Sequence, residues 1–369
     1  MKILHTGDLH LDSPFSRLDI TRAEKRRREL RETFSRMMRY ARDERLDMVI
    51  IAGDLFDSAF VTRETVALLV REFSALSCPV VITPGNHDPY TEDSIWAKTP
   101  FPKNVHIFKD PHLSKISFDS LGLSVYGFAF TEPFVTSCPL SGTVEDSEGI
   151  NILALHGDIM SPLSRYAPMP VPALKAFGAD YVALGHIHNT MATKSALKGI
   201  GAYCGCPEGR DFGEVGEKGA LVVDVTKDGY TVEKVRFSKR AYYAFTLMVD
   251  GAADMATVSA AIDKKIEECG YGEEHLVRIT LAGAVSPSLV INTEALAEDS
   301  RGLFYLEIED STSPTWNAEA LLSDKGIRGE LYRQLLPRLE SEDRETRELS
   351  ALSLRYALSA LAGEDISDI

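Results

Sequence analysis

The chain is poor in cysteine. Cys78, Cys138, Cys204, Cys206 and Cys269 are odd in number and scattered, which argues against a disulfide framework and fits free thiols in a reducing cytoplasm. Cys204 and Cys206 form only a lone C-x-C, too little to carry a metal or redox site. Long apolar runs are missing as well. No stretch approaches the roughly 20 residues that span a bilayer, and the opening "MKILHTGDLH" lacks the apolar core of a secretory leader, so a cytoplasmic protein with no membrane contact is expected. Positive charge is also short: 40 Lys and Arg against 55 Asp and Glu leave a net charge of −15. That excludes a generally basic nucleic-acid binder, because neutralising phosphates needs clustered cations. A local basic site, or acidic charge neutralised by bound metals, stays open. Repeats and low-complexity tracts are absent. What remains, 44% hydrophobic and 26% charged, can build a real core, and 369 residues make two domains the default.

The first half alternates strand and helix. In "TRAEKRRRELRETFSRMMRYARDERLD", Thr21 and Glu24 have the spacing of a capping box. Leu30, Phe34, Met37 and Ala41 recur at helical spacing, so one face packs and the arginines face out, either as a solvated helix face or as a local basic patch. "DMVIIAGD" reads as a buried strand, "TRETVALLVREFSAL" as a helix with Val66, Val70 and Phe73 on one side, and "CPVVITPGNHD" as the next strand. "LSVYGFAF", "NILALHGD" and "DYVALGHIHN" are further apolar runs that stop at polar residues. "KGALVVDVTKDGYTVEKVRF" reads as a hairpin around Asp228-Gly229. The class is α/β, with helices covering sheet faces.

The polar residues at those strand ends carry the chemistry. In "GDLHLD", a strand running on to His10 would project Asp8 and His10 together, since residues i and i+2 share a face. Asp54 follows a strand in "AGDLFD", and Asn86 and His87 follow one in "PGNHD". His156 ends another in "LHGD", as do His186 and His188 in "GHIH". Ligands gather beyond the carboxyl ends of strands in α/β sheets. Each residue alone has a plain structural explanation, a turn aspartate or a hydrogen-bonded histidine, but their repetition at successive strand ends points to a metal site. Asp8, His10, Asp54, Asn86, His156, His186 and His188 exceed what one ion needs and suit two, with an aspartate able to bridge ions about 3.5–4 Å apart. The mixed nitrogen and oxygen set, without thiolate, suits Mn, Fe or Zn better than Mg or Ca. The chemistry implied is hydrolysis of a phosphoester.

D-x-H, G-D, G-N-H-D, a later histidine and G-H-x-H, in that order, resemble the calcineurin-like metallophosphoesterase superfamily from residue 3 to about 235. The resemblance implies a metallophosphoesterase β-sandwich flanked by helices. It would place Asp8, His10 and His188 on one metal, Asn86, His156 and His186 on the other, and Asp54 between them. His87 would be a general acid or phosphate-stabilising group, oriented and charged by Asp88. "KILHTGDLHLD", "RRELRETFSRMMRYARDERLDMVIIAGDLFD" and "GNHDPY" are similar to the SbcD-type DNA repair exonucleases, and "GCPEGRDFGEVGEKGALVVDV" to the YhaO-like bacterial group. Asp57 stands where archaeal and eukaryotic counterparts carry histidine, and Gly7 where serine or alanine is commoner.

From about residue 240 the pattern starts afresh. "AYYAFTLMVDG", "MATVSAAIDKKIEEC", "EHLVRITLAG", "NTEALAEDS" and "GLFYLEIED" read strand, helix, strand, helix, strand, and the segments beyond look helical. The expected division is a metallophosphoesterase domain over 1–238, a small α+β capping domain over 239–315 and a helical tail over 316–369. In "SEDRETRELSALSLRYALSAL", Leu349, Leu352, Tyr356 and Leu361 lie near one helical face, broadened by Leu354 and Leu358. That stripe is either a docking face or packs back on the chain. Three functions stay open: a two-metal DNA exo- or endonuclease, a phosphoesterase of nucleotides, phosphoproteins or lipid diphosphates, and a non-catalytic DNA-end binding subunit. For the first, the resemblance implies Mn²⁺, DNA and an SbcC-like coiled-coil ATPase as partners, with a homodimer as a further alternative.

Overall fold

The computed structural model describes residues 1–57, 61–146, 148–192, 197, 199–287, 289–315 and 318–362. The chain forms two units, Met1–Ala241 and Tyr242–Ile369. In chain order the first contains β1 (Lys2–Thr6), α1 (Ile20–Asp43), β2 (Met48–Ala52), α2 (Arg63–Ser74), β3 (Val80–Thr83), α3 (Ile95–Lys98) and β4 (Val105–Ile107). There follow β5 (Ser114–Phe118), β6 (Leu123–Gly127), β7 (Ile150–His156), α4 (Val171–Phe177), β8 (Tyr181–Gly185), β9 (Met191–Ala192), β10 (Gly201–Tyr203), β11 (Gly219–Thr226) and β12 (Gly229–Arg236).

Two six-stranded sheets result among the described residues, ordered β12-β11-β1-β2-β3-β4 and β5-β6-β7-β8-β10-β9. The central strands are parallel and mostly apolar, as strands covered on both faces tend to be. Alternation divides each strand between two cores. Leu4, Val49, Ile51, Val80 and Ile82 meet Phe34 and Met37 of α1 and Leu69 and Phe73 of α2. Ile3, Met48, Ile50 and Val81 face the other way, onto Val125, Ile152, Ala154 and Ala183 of the second sheet. That sheet's outer face, with Leu153, Leu155, Val182 and Leu184, is covered by Leu174 and Phe177 of α4. The layers are helix, sheet, sheet, helix. Burying each such aliphatic side chain contributes about 1.5–3 kcal/mol.

Several local expectations are corrected. α1 is capped by Asp19, whose carboxylate accepts from the Arg22 amide at 2.9 Å, so the helix starts before the Thr21–Glu24 pair can box it. The α2 face that packs is Thr65, Leu68, Leu69 and Phe73, with Val66 and Val70 only half-buried. The β11–β12 hairpin turns through Lys227-Asp228, because Thr226 pairs with Gly229. The arginines of α1 are not all solvated: Arg26 is fully buried, donating to Glu29, Glu208 and the Gly209 carbonyl.

The second unit contains β13 (Ala241–Met248) from its second residue on, α5 (Met255–Cys269), β14 (His275–Val285), α6 (Thr293–Ala297), β15 (Tyr305–Pro314), α7 (Ala318–Ser323), α8 (Ile327–Leu339) and α9 (Arg344–Ala362). Its sheet is ordered β13-β14-β15, with α5 packed on it through Val258, Ile262 and Ile266. Leu354 of α9 is buried with Leu321 and Tyr332, and Leu358 packs alongside, whereas Leu349, Leu352 and Leu361 are exposed. The stripe therefore divides: part of it packs back on the chain's own helices. Residues 316, 317 and 363–369 of the expected tail lie outside the described residues. No helix among the described residues is long and apolar enough to cross a membrane.

Candidate metal centre

The candidate residues meet where β1, β2, β3, β7 and β8 end. β1 stops at Thr6, so the shared face of an extended strand does not bring Asp8 and His10 together as expected. Both instead adopt left-handed backbone, with φ of 49° and 47°, as does Asp54 at 49°, and His186 also has positive φ, 105°. Non-glycine residues in this region are strained, and such strain gathers where surrounding structure fixes a functional geometry. Here the fixing bonds are visible. The amides of Asp8 and His10 donate to the carbonyls of Gly53 and Asp54, and the His87 amide donates to Asp54 Oδ1 at 2.9 Å. The His186 amide lies 3.1 and 3.0 Å from the two Asp8 carboxylate oxygens. Gly185 is required by close approach: a Cβ there would overlap the Ala52 carbonyl oxygen.

Three groups of donor atoms cluster: Asp8, His10 and His188; His10, Asp54 and His87; and Asp8, Asp54 and His156, each with its ligand atoms within 4.8 Å. Asp8, His10 and Asp54 each belong to two of them, and Asp54 Oδ2 lies 3.7 Å from His10 Nε2 and 3.4 Å from His156 Nε2. Asn86 Oδ1 sits 3.0 Å from His156 Nε2. His186 belongs to none of the three groups; its ring lies against His156 and Tyr166, with centroids 5.2 and 4.9 Å away. Asp8, His10, His156 and Asp54 are buried, while His87 is exposed and His188 partly so, which leaves the site one open edge.

The tautomers test whether cations fit. His156 Nδ1 faces the Ala52 carbonyl at 2.9 Å and must donate to it. In the neutral ring Nε2 is then a bare lone pair, yet it faces Asn86 Oδ1 and Asp54 Oδ2, both acceptors. His188 repeats the pattern: Nδ1 donates to Glu214 Oε1 at 2.6 Å, and Nε2 points at His10 Nε2, 3.3 Å away. Lone pairs converging on lone pairs need a proton or a cation between them. A carbonyl behind His156 and a carboxylate behind His188 match the arrangement that orients metal-bound histidine. The residues fit divalent cations.

Electrostatics agree. Burial holds His10 neutral, its pKa lowered to about 4, and burial with the neighbouring His156 lowers His186 to about 4. Burial raises Asp8 to about 6. For His156 burial opposes the charge, but the Asp54 carboxylate outweighs it and carries the pKa to about 9. Asp54 is correspondingly held well below the carboxylate range, against its own burial, by His156.

Asp88 does not have the place expected of it. Its carboxylate accepts from the amides of Gly85, Leu55 and Phe56 at 2.7, 2.8 and 3.2 Å, tying the loop after β3 to the loop after β2. Backbone donors occupy it, so it cannot orient the His87 ring. Asp57 stands there instead. Its carbonyl accepts from His87 Nδ1 at 3.1 Å, and its carboxylate is 3.7 Å from the same nitrogen. That carboxylate also lies 3.0 Å from His10 Nδ1, close but bent away from a linear hydrogen bond.

The sequence reading missed the rest of this outer layer. Arg210 donates to Asp57 Oδ1 and Glu214 Oε1, each at 3.0 Å, and so clamps the two carboxylates that back the histidines. Glu214 accepts in addition from the Arg210 amide at 2.8 Å. The only signal for Arg210 and Glu214 was the segment that contains them, "GCPEGRDFGEVGEKG", in which no spacing marks either residue. Cys204 and Cys206 are buried, and neither belongs to a donor cluster among the described residues.

The family model for calcineurin-like phosphoesterases matches residues 1–190. The uncharacterized metallophosphoesterase YhaO of Bacillus subtilis (strain 168) is 26% identical, over 98% of this chain and 98% of that protein. The SbcD component of nuclease SbcCD from the same organism is 26% identical over 61% of this chain and 66% of its own. The DNA double-strand break repair protein Mre11 of Methanopyrus kandleri is 25% identical over 60% and 52%.

Proposed function

The chain belongs to the calcineurin-like phosphoesterase family, and on that premise we propose that it is a DNA exo- or endonuclease acting in DNA repair. The observation that carries the reading is the overlap of three donor clusters at one open edge, with Asp54 Oδ2 between His10 and His156, an arrangement that suits a two-metal phosphodiesterase. DNA as substrate is supported by the relatives named as a nuclease component and as a break-repair protein.

Asp8, His10 and His188 would hold one cation, Asn86, His156 and His186 the other, with Asp54 bridging. Cations bound there supply an activated water and neutralise charge developing on the phosphorus oxygens. His87 is the exposed imidazole at the edge. With Nδ1 donating to the Asp57 carbonyl, Nε2 faces the edge, and the doubly protonated ring would pass its Nε2 proton to the leaving oxygen and keep the one on Nδ1. Asp57, Arg210 and Glu214 hold the imidazoles in register, and Asp88 holds the loops. The imidazole-rich set favours Mn²⁺, with Fe or Zn as alternatives. The five free thiols fit a reducing cytoplasm.

In this reading residues 239–315 select DNA, and the exposed leucines of α9 dock an SbcC-like coiled-coil ATPase by helix-in-groove contact. The test is the metal-free chain reconstituted with Mn²⁺ or Mg²⁺ on end-labelled single- and double-stranded DNA, beside bis(p-nitrophenyl) phosphate. Mn²⁺-dependent DNA cleavage is expected. Hydrolysis of the small ester with no cleavage of either DNA would replace this reading by a small-substrate phosphoesterase.

A further inference from the structure

The arginines of α1 do more than solvate a helix. Arg28, Arg31, Arg36 and Arg39 of α1 and Arg71 of α2 line one groove of about 410 Å³, where the acids are Glu32 and Glu64. In a chain of net charge −15 this is a local reversal of sign. The members differ in how they are held. Arg31 is anchored, donating to Asp12 Oδ1 at 3.1 Å and lying 3.2 Å from Glu64, and Arg36 donates to the Phe237 carbonyl. The exposed side chains of Arg28 and Arg39 make no hydrogen bond or ion pair among the described residues, and the exposed Arg71 side chain pairs with the adjacent Glu72. From Arg28 to Arg39 the helix rises about 16 Å, roughly five base-pair steps of duplex. One link runs from the groove toward the candidate site: Asp12, which holds Arg31, lies two residues beyond His10 in the same loop.

We propose that this groove between α1 and α2 binds the phosphate backbone of a nucleic acid whose scissile strand lies at the metal centre. The inference rests on the nuclease reading above and adds a second contact outside the catalytic cluster. Anchored arginines give the groove its shape, and unpaired ones give up little when they take phosphates. Guanidinium suits this role because its fork can meet two phosphate oxygens at once.

The experiment measures binding of a fluorescein-labelled duplex to the full chain by anisotropy, with chelator present, across a salt series. R28Q/R39Q/R71Q is expected to flatten the slope of log K against log salt by about 2.7, three contacts at about 0.9 each. R28K/R39K/R71K keeps the charge and should keep the slope, which separates phosphate contact from a folding defect. With Mn²⁺, the glutamine variant should raise KM for DNA and leave hydrolysis of bis(p-nitrophenyl) phosphate unchanged. An unaltered salt slope in the glutamine variant overturns the proposal while leaving the nuclease reading intact. An unaltered slope with lost binding of polyglutamate overturns it in favour of an acidic protein segment. If the parent chain neither binds nor cleaves DNA, the nuclease reading itself fails and the groove proposal falls with it.

Discussion

Replacing Glu214 by glutamine alters one atom of the layer behind His188 and tests how the metal centre is held. Glu214 accepts from His188 Nδ1 at 2.6 Å, from the Arg210 amide at 2.8 Å and from the Arg210 guanidinium at 3.0 Å. Burial opposes charge on His188, but the hydrogen bond to Glu214 outweighs it and raises the imidazole's pKa. Glutamine keeps the shape and an acceptor oxygen for Nδ1, so the tautomer that presents Nε2 survives, while its amide nitrogen replaces Oε2 and gives up the bond from the Arg210 amide. It removes the charge that makes the ring a stronger donor. Losing an outer-layer partner costs 10–100-fold in metal affinity, and with the acceptor retained the effect is set at the lower end, about tenfold or about 1.4 kcal/mol. Glu214→Ala removes the acceptor too and leaves the Arg210 guanidinium without one of its two carboxylates, so its loss should approach a hundredfold, with a lower melting temperature. The assay is calorimetric titration of the metal-free chain with Mn²⁺, paired with thermal melting. An unchanged Mn²⁺ affinity in both variants would refute the claim that Glu214 orients His188.

Three further outcomes follow from the same geometry. Asp54→Ala should abolish retention of both cations, since its carboxylate is shared between two clusters, whereas His87→Ala should keep its metal content and lose about 10²–10⁴-fold in phosphodiester hydrolysis; metal analysis beside activity separates them, and metal lost from the His87 variant would contradict the division. Gly185→Ala should cost about 3 kcal/mol in denaturant unfolding, because the added methyl overlaps the Ala52 carbonyl and the strand ends cannot part without moving the site. A chain ending at Ser341 removes α9 and the buried Leu354, so it should destabilise the second unit by about 2–3 kcal/mol while hydrolysis of a small phosphodiester persists; loss of that hydrolysis would show that α9 supports the site.

The sequence by itself determined the α/β class and which side-chain types gather at the strand ends. Apolar strands flanked by amphipathic helices can only be buried on both faces, and the same side-chain types recur where those strands stop. Both are local properties, written in composition and period. The tertiary structure decided how the side chains converge. The pleat cannot aim Asp8 and His10, because β1 ends at Thr6, and left-handed backbone held by bonds to Gly53 and Asp54 aims them instead. It also decided which carboxylate serves which imidazole. Asp88 neighbours His87 in sequence, but three amides claim it, and Asp57 takes the place beside the ring. Arg26 reads as a solvated helix arginine until Glu208, brought from 182 residues away, buries it. Arg210 and Glu214 become functional candidates only once His188 and Asp57 are beside them. Pairings of this kind depend on which loops the two sheets bring together, and no period along the chain encodes that contact.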